Sequence, residues 1–224
     1  MGGEGESYAP KGSYQPEMTS EVLWCGKDTW MAEVIKILGI PGSLRKASYN
    51  RFLLRAAQEL APEGATIDIF ELDDIPSFNQ DEEKHPPARI VSLKSMVRAA
   101  DAILFATPEY NYSVPGVLKN AIDWASRPYG DSAWNEKPVA VMGASVGRIG
   151  TARAQYHLRQ MFVFLNMHAL SQPEVMVGNA AQRFDDNGNL TDEQAANLIR
   201  QLLENLVTWT RRLQPDSSRL LRAS

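Results

Sequence analysis

The sequence predicts an α/β domain in three layers, with a parallel sheet covered by helices on both faces. Short segments of strand length alternate along the chain with longer segments of helical period. The strand segments are apolar throughout rather than at every second residue, which is typical of parallel strands buried on both faces. With 224 residues, 44% of them apolar, the chain is long enough for one such domain.

Five segments are predicted as strands, beginning with VIKILGI and ending near PEVMVG. Their lengths and β-branched content favour strands over short buried helices. The predicted strands are residues 34–40, 66–72, 102–107, 138–144 and 173–178.

Five segments between and after the strands have helical spacing. The first carries apolar residues one turn apart, and the last opens with Thr191 and Gln194, which form the pattern of a capping box. The predicted helices are residues 48–60, 90–100, 117–126, 152–165 and 191–213. This alternation predicts one α/β domain at residues 34–213.

The two ends of the chain lack this pattern. Residues 1–33 mix Gly, Ser, Pro and charged residues with isolated aromatics, and are predicted to be a disordered leader or an arm that packs on a neighbouring subunit. Met31, just before the first strand, is an alternative natural start. Residues 214–224 are predicted to be a flexible tail.

Charge and cysteine content exclude several classes of protein. A net charge of -4 argues against a nucleic-acid binder, which needs clustered Lys and Arg. The one cysteine, Cys25, excludes disulfide frameworks within one chain and favours a reducing compartment. No run approaches the about 20 apolar residues of a membrane span, so we expect a cytoplasmic protein without membrane contact. Neither carboxylates nor histidines show the spacing of a metal site.

Ligands of parallel sheets bind at the carboxyl ends of the strands, where the strand order reverses. The loop after the first strand, GIPGSLRKASYN, leads straight into a helix, so N–H groups, hydroxyls and the helix dipole converge there. Neither the Walker A nor the Gly-x-Gly-x-x-Gly spacing is present. Although Ser48 alone suits a helix cap, the combination favours a phosphate site. The candidate residues are Gly42, Ser43, Arg45, Ser48 and Asn50.

The loop after the fourth strand contains Gly143-x-Ser145-x-Gly147, the sequence form of a hydrolase nucleophile elbow. That fold needs an acid and then a histidine after the serine. Because no Asp or Glu lies between Ser145 and His168, the triad cannot be assembled in that order. We therefore interpret Ser145 as a hydroxyl in a glycine loop close to a flat ligand.

The loop after the third strand, PEYNYSVP, combines two stiffening prolines with ring faces, amides and hydroxyls. A phosphate site, an aromatic corner and a glycine loop together suit a planar heteroaromatic ring joined to one phosphate. FMN has that shape.

At this point the chain resembles the NADPH-dependent FMN reductase family, whose members include quinone and chromate reductases. The resemblance runs from about Val34 to Leu213 and rests on motifs that are specific in combination. These motifs are GSLRKASYN at 42–50, PEYNYSVPGVLKNAIDW at 108–124, GASVGRIG at 143–150 and FDDNGNLTDE at 184–193.

The resemblance implies a flavodoxin-like fold with strand order 2-1-3-4-5 and FMN as the bound cofactor. It implies phosphate binding by Ser43, Arg45, Ser48 and Asn50. It places the isoalloxazine ring beside Pro108, Glu109, Tyr110 and Asn111, and closes the far side with Ser145 and Gly147.

The implied reaction is oxidation of NADPH or NADH, with two electrons passing through FMN to a quinone or similar small acceptor. The flavin then carries the chemistry, so no side chain is assigned a catalytic role and Glu109 becomes a positioning residue. A homodimer or homotetramer is also implied.

Two alternatives stay open, a flavodoxin-type electron carrier and a flavin-free binding module. Carriers are usually acidic around the flavin. Basic residues in or near the three loops favour the enzyme instead, because they can receive nucleotide phosphates. They are Arg45, Lys46, Arg127 and Arg148.

Overall fold

The computed structural model describes residues 34–214, which form a parallel sheet between two layers of helices. The predicted leader and residues 215–224 of the predicted tail lie outside the described residues. The strands are β1 Ile35–Pro41, β2 Ala65–Ile69, β3 Ala102–Ala106, β4 Pro138–Ala144, β5 His168–Ala169 and β6 Val175–Val177. The helices are α1 Tyr49–Glu59, α2 Ala88–Ala99, α3 Gly116–Ala125, α4 Ala152–Phe164 and α5 Glu193–Leu213.

The strand order is β2-β1-β3-β4-β5, and β6 also pairs with β4. This confirms the flavodoxin-like fold and its predicted order. The register sets Pro41 opposite Ala106, and Ala106 opposite Met142. The carboxyl ends of β1, β3 and β4 are therefore neighbours, and the three loops that follow them leave the same edge of the sheet.

Two apolar cores form because alternate residues of each strand face opposite layers. In β3, Leu104 packs with α1 and α5, whereas Phe105 packs with α2, α3 and α4. The predicted burial on both faces is thus observed, with every residue of β3 and β4 buried. Within residues 34–214, no helix is long and apolar enough to cross a membrane.

The fifth predicted strand, near PEVMVG, is observed as β6, and a further short strand, β5, precedes it. β5 pairs with the beginning of β4 at Pro138 and Val139, and β6 pairs with its end. Pro173, which opens the predicted strand, lies between them and has no N–H to donate to a ladder. The short strand predicted near PEVMVG is therefore confirmed as β6, beginning after Pro173, and β5 was not predicted.

The predicted capping box of the last helix is also wrong. Helix α5 begins one residue later than expected, with Asp192 as the N-cap. Its carboxylate Oδ1 accepts a hydrogen bond of 2.8 Å from the N–H of Ala195. Thr191 belongs to the preceding turn, because its own N–H donates to the carbonyl oxygen of Arg183 at 2.9 Å.

Candidate cofactor site

The three predicted loops meet in one cleft at the carboxyl ends of the strands, with a cavity of about 190 Å³. Most of the predicted site residues line it: Ser43, Arg45, Ser48, Asn50, Pro108, Glu109, Tyr110 and Ser145. Tyr49, Ala144 and Val146 also line it, although sequence reasoning missed them. Gly42, Asn111 and Gly147 lie in the same loops but outside the lining.

One end of the cleft is lined with donors at the start of α1. Ser43 and Ser48 are buried. The Ser48 side chain caps α1, because its hydroxyl oxygen accepts a hydrogen bond from the N–H of Asn50. Among residues 34–214, none accepts a hydrogen bond from the backbone N–H of Leu44, Lys46 or Ala47. The Arg45 guanidinium lies beside them, with its Nη2 donating to the carbonyl oxygen of Ala47 at 2.5 Å. Together with the two hydroxyls, these groups form a donor set that suits a phosphate dianion.

Asn50 and Gly42 hold the loops in place. The Asn50 amide makes two hydrogen bonds of 2.9 Å to the backbone of Ala144, one to its carbonyl oxygen and one from its N–H. A Cβ on Gly42 would lie 3.1 Å from the Thr107 hydroxyl oxygen and 3.2 Å from Pro108 Cδ. The first and second loops therefore pack closely at Gly42, where a side chain would crowd them, and Asn50 ties the first loop to β4.

Glu109 anchors the second loop to helix α4. Its side chain is only 8% exposed. Oε2 accepts from the N–H of Arg153 at 2.9 Å and of Ala154 at 3.3 Å, and Oε1 accepts from Arg153 Nε at 2.6 Å. A carboxylate is stabilised at a helix N-terminus by free N–H groups and the dipole. This arrangement supports a positioning role for Glu109.

Residues 110–113 form a tight turn directly after Glu109. Two hydrogen bonds of 3.0 and 2.9 Å join the backbones of Tyr110 and Ser113. Asn111 and Tyr112 at its tip have φ angles of 49° and 64°, the left-handed pattern of a type I′ turn. The Ser113 hydroxyl lies 2.8 Å from His157 Nδ1 on α4, so the turn is fixed to the helix at both ends.

The third loop is closed by its own hydrogen bonds. The Ser145 hydroxyl donates to the carbonyl oxygen of Gly150 at 2.6 Å. His157 contacts Ser113 rather than Ser145, which agrees with the rejection of a nucleophile elbow. A Cβ on Gly143 would lie 1.9 Å from the Thr151 hydroxyl oxygen, whereas one on Gly147 would meet only Ser145 Oγ, at 3.7 Å.

One of the predicted basic residues lies away from the cleft. Arg127 follows α3, where its carbonyl oxygen accepts from Lys94 of α2 and its guanidinium lies 3.9 Å from the centre of the Tyr129 ring. Sequence proximity to the second loop was misleading, because α3 carries the chain away from the carboxyl ends. Arg45 does line the cleft.

The fold and cleft define a flavodoxin-like α/β protein whose site suits a cofactor with one phosphate and a flat ring. Residues 35–182 match the family model described as NADPH-dependent FMN reductase. The chain therefore belongs to that family, and the predicted enzyme class, NAD(P)H-dependent oxidoreductase with FMN as cofactor, is confirmed.

Individual relatives agree over nearly their whole length. An NAD(P)H-dependent FMN reductase of Pseudomonas aeruginosa is 53% identical over 186 residues, which cover 82% of this chain and 100% of the relative. A quinone reductase of Pseudomonas putida is 44% identical over 182 residues, covering 81% and 97%. The solved structure of the flavoenzyme NAD(P)H:(acceptor) oxidoreductase FerB from Paracoccus denitrificans is 37% identical, with a TM-score of 0.74 and coverage of 80% and 98%.

Proposed function

We propose that this chain is a quinone reductase that oxidises NADPH or NADH and transfers two electrons through FMN to a quinone. The observation that carries the proposal is the convergence of three loops on one cleft, with unpaired donors at one end and a Pro–Glu–Tyr wall beside them. Relatives named quinone reductase, 44% identical over most of the chain, support the choice of acceptor.

The residues present suit FMN. Its phosphate would be held by Ser43, Ser48, Arg45 and the free N–H groups between residues 44 and 47, because dianions bind where such donors meet a helix N-terminus. Its ring would lie between Pro108 to Tyr110 on one side and Ser145 with Val146 on the other. Asn50 contributes by clamping Ala144 rather than by offering its whole amide to the phosphate.

When bound, FMN supplies the redox chemistry, taking a hydride from the nicotinamide and returning two electrons to the acceptor. The chain's own residues hold the cleft in shape. Glu109 fixes the loop at residues 108–111 to α4, and the carboxylate is fully engaged there. This engagement supports a positioning role for Glu109.

Anaerobic spectroscopy of the purified protein tests the proposal. We expect a flavin absorbance spectrum that bleaches on addition of NADPH or NADH and returns on addition of 1,4-benzoquinone. A flavin that neither nucleotide bleaches would support the electron-carrier alternative. Colourless protein that does not take up added FMN would contradict the proposal altogether. Initial rates with both nucleotides would then set the order of preference between them.

We also propose a homodimer or homotetramer, formed by the domain at residues 34–213. Helix α4 carries an apolar face at helical spacing, on which Tyr156, Val163 and Phe164 are 50%, 83% and 76% exposed. Sedimentation of the wild type and of Phe164→Glu tests it, since a charge on this face should favour the monomer. Cysteine usage supports the cytoplasm as the compartment.

A further inference from the structure

Tyr112 occupies a position where the backbone favours glycine. It is the second residue at the tip of the type I′ turn, with a φ of 64°. Glycine is preferred there because a Cβ is strained in the left-handed region, and a bulky residue is an outlier. Asn111, at the first position, is a residue that tolerates this conformation. Local structure therefore opposes tyrosine at position 112.

Burial does not explain the tyrosine either. Tyr112 is 68% exposed, so little of its apolar surface is removed from water. Among the described residues, its ring makes one cation–π contact, with the guanidinium of Arg153, whose Cζ lies 3.7 Å from the ring centre. An exposed cation–π pair of this kind is weak and does not require a strained backbone.

The position of the ring relative to the cleft suggests its use. Tyr110, two residues before it, lines the cleft, and Arg153 binds the cleft residue Glu109 through Nε at 2.6 Å. Among the described residues, none accepts from the two Nη groups of Arg153. The rim beside Glu109 thus offers an aromatic face together with cationic N–H donors, which suits a planar, electron-poor ring that carries carbonyl oxygens.

We propose that Tyr112, backed by Arg153, stacks on the planar quinone ring of the electron acceptor at the rim of the cleft and so determines acceptor specificity. The inference rests on the proposed function, and it identifies the residue that distinguishes planar ring acceptors from acceptors without a ring. The strained turn presents the ring to solvent, and Glu109 and His157 keep the turn from relaxing.

Tyr129 provides a matched comparison within the same chain. It is also exposed, at 70%, and its ring also lies against an arginine, with Arg127 Cζ at 3.9 Å. Neither tyrosine is part of the cleft lining itself, but Tyr112 follows the lining residue Tyr110 by two positions, whereas Tyr129 lies beyond α3 and its φ is not in the left-handed region. If an exposed tyrosine stacked on arginine had a general effect on activity, Tyr129 would share it.

The experiment compares Tyr112→Gly, Tyr112→Phe and Tyr129→Ala with the wild type. Glycine is the substitution least able to disturb the turn, because it adopts a positive φ without strain. We expect Tyr112→Gly to raise the KM for 1,4-naphthoquinone about two- to tenfold, the range of one aromatic contact. The KM for ferricyanide, which has no ring, the KM for NADPH and the FMN content should be unchanged. Tyr112→Phe and Tyr129→Ala should behave as wild type.

Three results would overturn the inference: an unchanged KM for naphthoquinone in Tyr112→Gly, an equal rise for ferricyanide, or a changed sedimentation coefficient, which would make Tyr112 a subunit contact. Failure of the proposed function looks different. In that case the wild type itself reduces no quinone with NADPH or NADH, so the failure is seen before any variant is compared.

Discussion

A second cavity, of about 320 Å³, lies at the amino ends of the strands, opposite the cleft of about 190 Å³. There Lys137 Nζ donates to the carbonyl oxygens of Arg98 at 2.9 Å and Ala100 at 2.6 Å, at the end of α2. Arg98 itself binds Asp131 at 2.6 Å. The larger cavity has its charged donors engaged, whereas the smaller one leaves backbone donors free. Free backbone N–H donors, rather than cavity volume, therefore distinguish the candidate cofactor cleft from the cavity at the amino ends of the strands.

Ionisation at the amino end follows from the same contacts. A hydrogen bond from Lys94, and then one from Arg98, holds the pKa of Asp131 below its usual value. Burial lowers the pKa of Lys137, whose ammonium satisfies the last carbonyls of α2. These groups stabilise the fold, so changes there should affect unfolding and leave flavin binding intact. Changes at the cleft should weaken flavin binding and leave unfolding close to wild type, except where the backbone itself is crowded.

The largest expected effect is at Gly143, where the cleft depends on close packing of the backbone. Gly143→Ala would place a Cβ 1.9 Å from the Thr151 hydroxyl oxygen and 2.5 Å from the Thr107 carbonyl oxygen. We expect a loss of about 3 kcal/mol in the free energy of unfolding, measured by urea denaturation, together with loss of FMN. Gly147→Ala is the matched control, since its Cβ meets nothing closer than 3.7 Å. Equal stability of the two variants would contradict the crowding.

The second largest effect is expected from a comparison of two arginines, Arg45 at the cleft and Arg98 at the amino ends of the strands. Arg45→Ala should weaken FMN binding by about 2 kcal/mol, roughly thirtyfold in Kd, because a charge-assisted hydrogen bond to the phosphate is lost. Its free energy of unfolding without FMN should stay close to wild type, since Arg45 is exposed. Arg98→Ala should leave the Kd unchanged. Fluorescence titration of apoprotein with FMN measures both, and retention of full affinity by Arg45→Ala would refute the phosphate assignment.

The smallest effect is at Asp131. Its folded pKa is below the unfolded value near 3.8, so its contribution is present above that pH and is lost as the pH falls through the lower, folded value. Because the carboxylate is 55% exposed, Asp131→Asn should cost less than about 1 kcal/mol at pH 7. Unfolding measured from pH 7 to pH 3 should show the difference from wild type shrinking below pH 3.8. A difference independent of pH would mean that the charge is not its source.

The sequence was sufficient for the layers and the three loops, because buried parallel strands and helical periods are local signals, whereas the strand order came from the family resemblance. Prediction from the sequence failed where a contact with another part of the chain determines the local structure. Asp192 replaces Thr191 as the N-cap because Thr191 is held by Arg183. Arg127 was counted among the basic residues in or near the three loops because of its proximity along the chain, but α3 carries it away from them.

The sequence predicted many of the residues that lie in the cleft, but not the contacts that their side chains make there. Asn50 carried a phosphate-binding signal, yet its amide is engaged with Ala144, 94 positions away. The turn at residues 110–113 was also unforeseen, since an Asn-Tyr pair is not the usual sequence of a type I′ turn. Tyr49 and Val146 line the cleft through backbone geometry that no local pattern encodes.

The hydrogen bonds between Asn50 and Ala144 also bear on how the protein is synthesised. They join the beginning and the middle of the domain, and such long-range contacts form late because a long loop must close first. A nascent chain that ends before β4 therefore lacks one wall of the cleft. We expect FMN to bind only after β4 has left the ribosome and docked, so cofactor uptake marks a late step of folding.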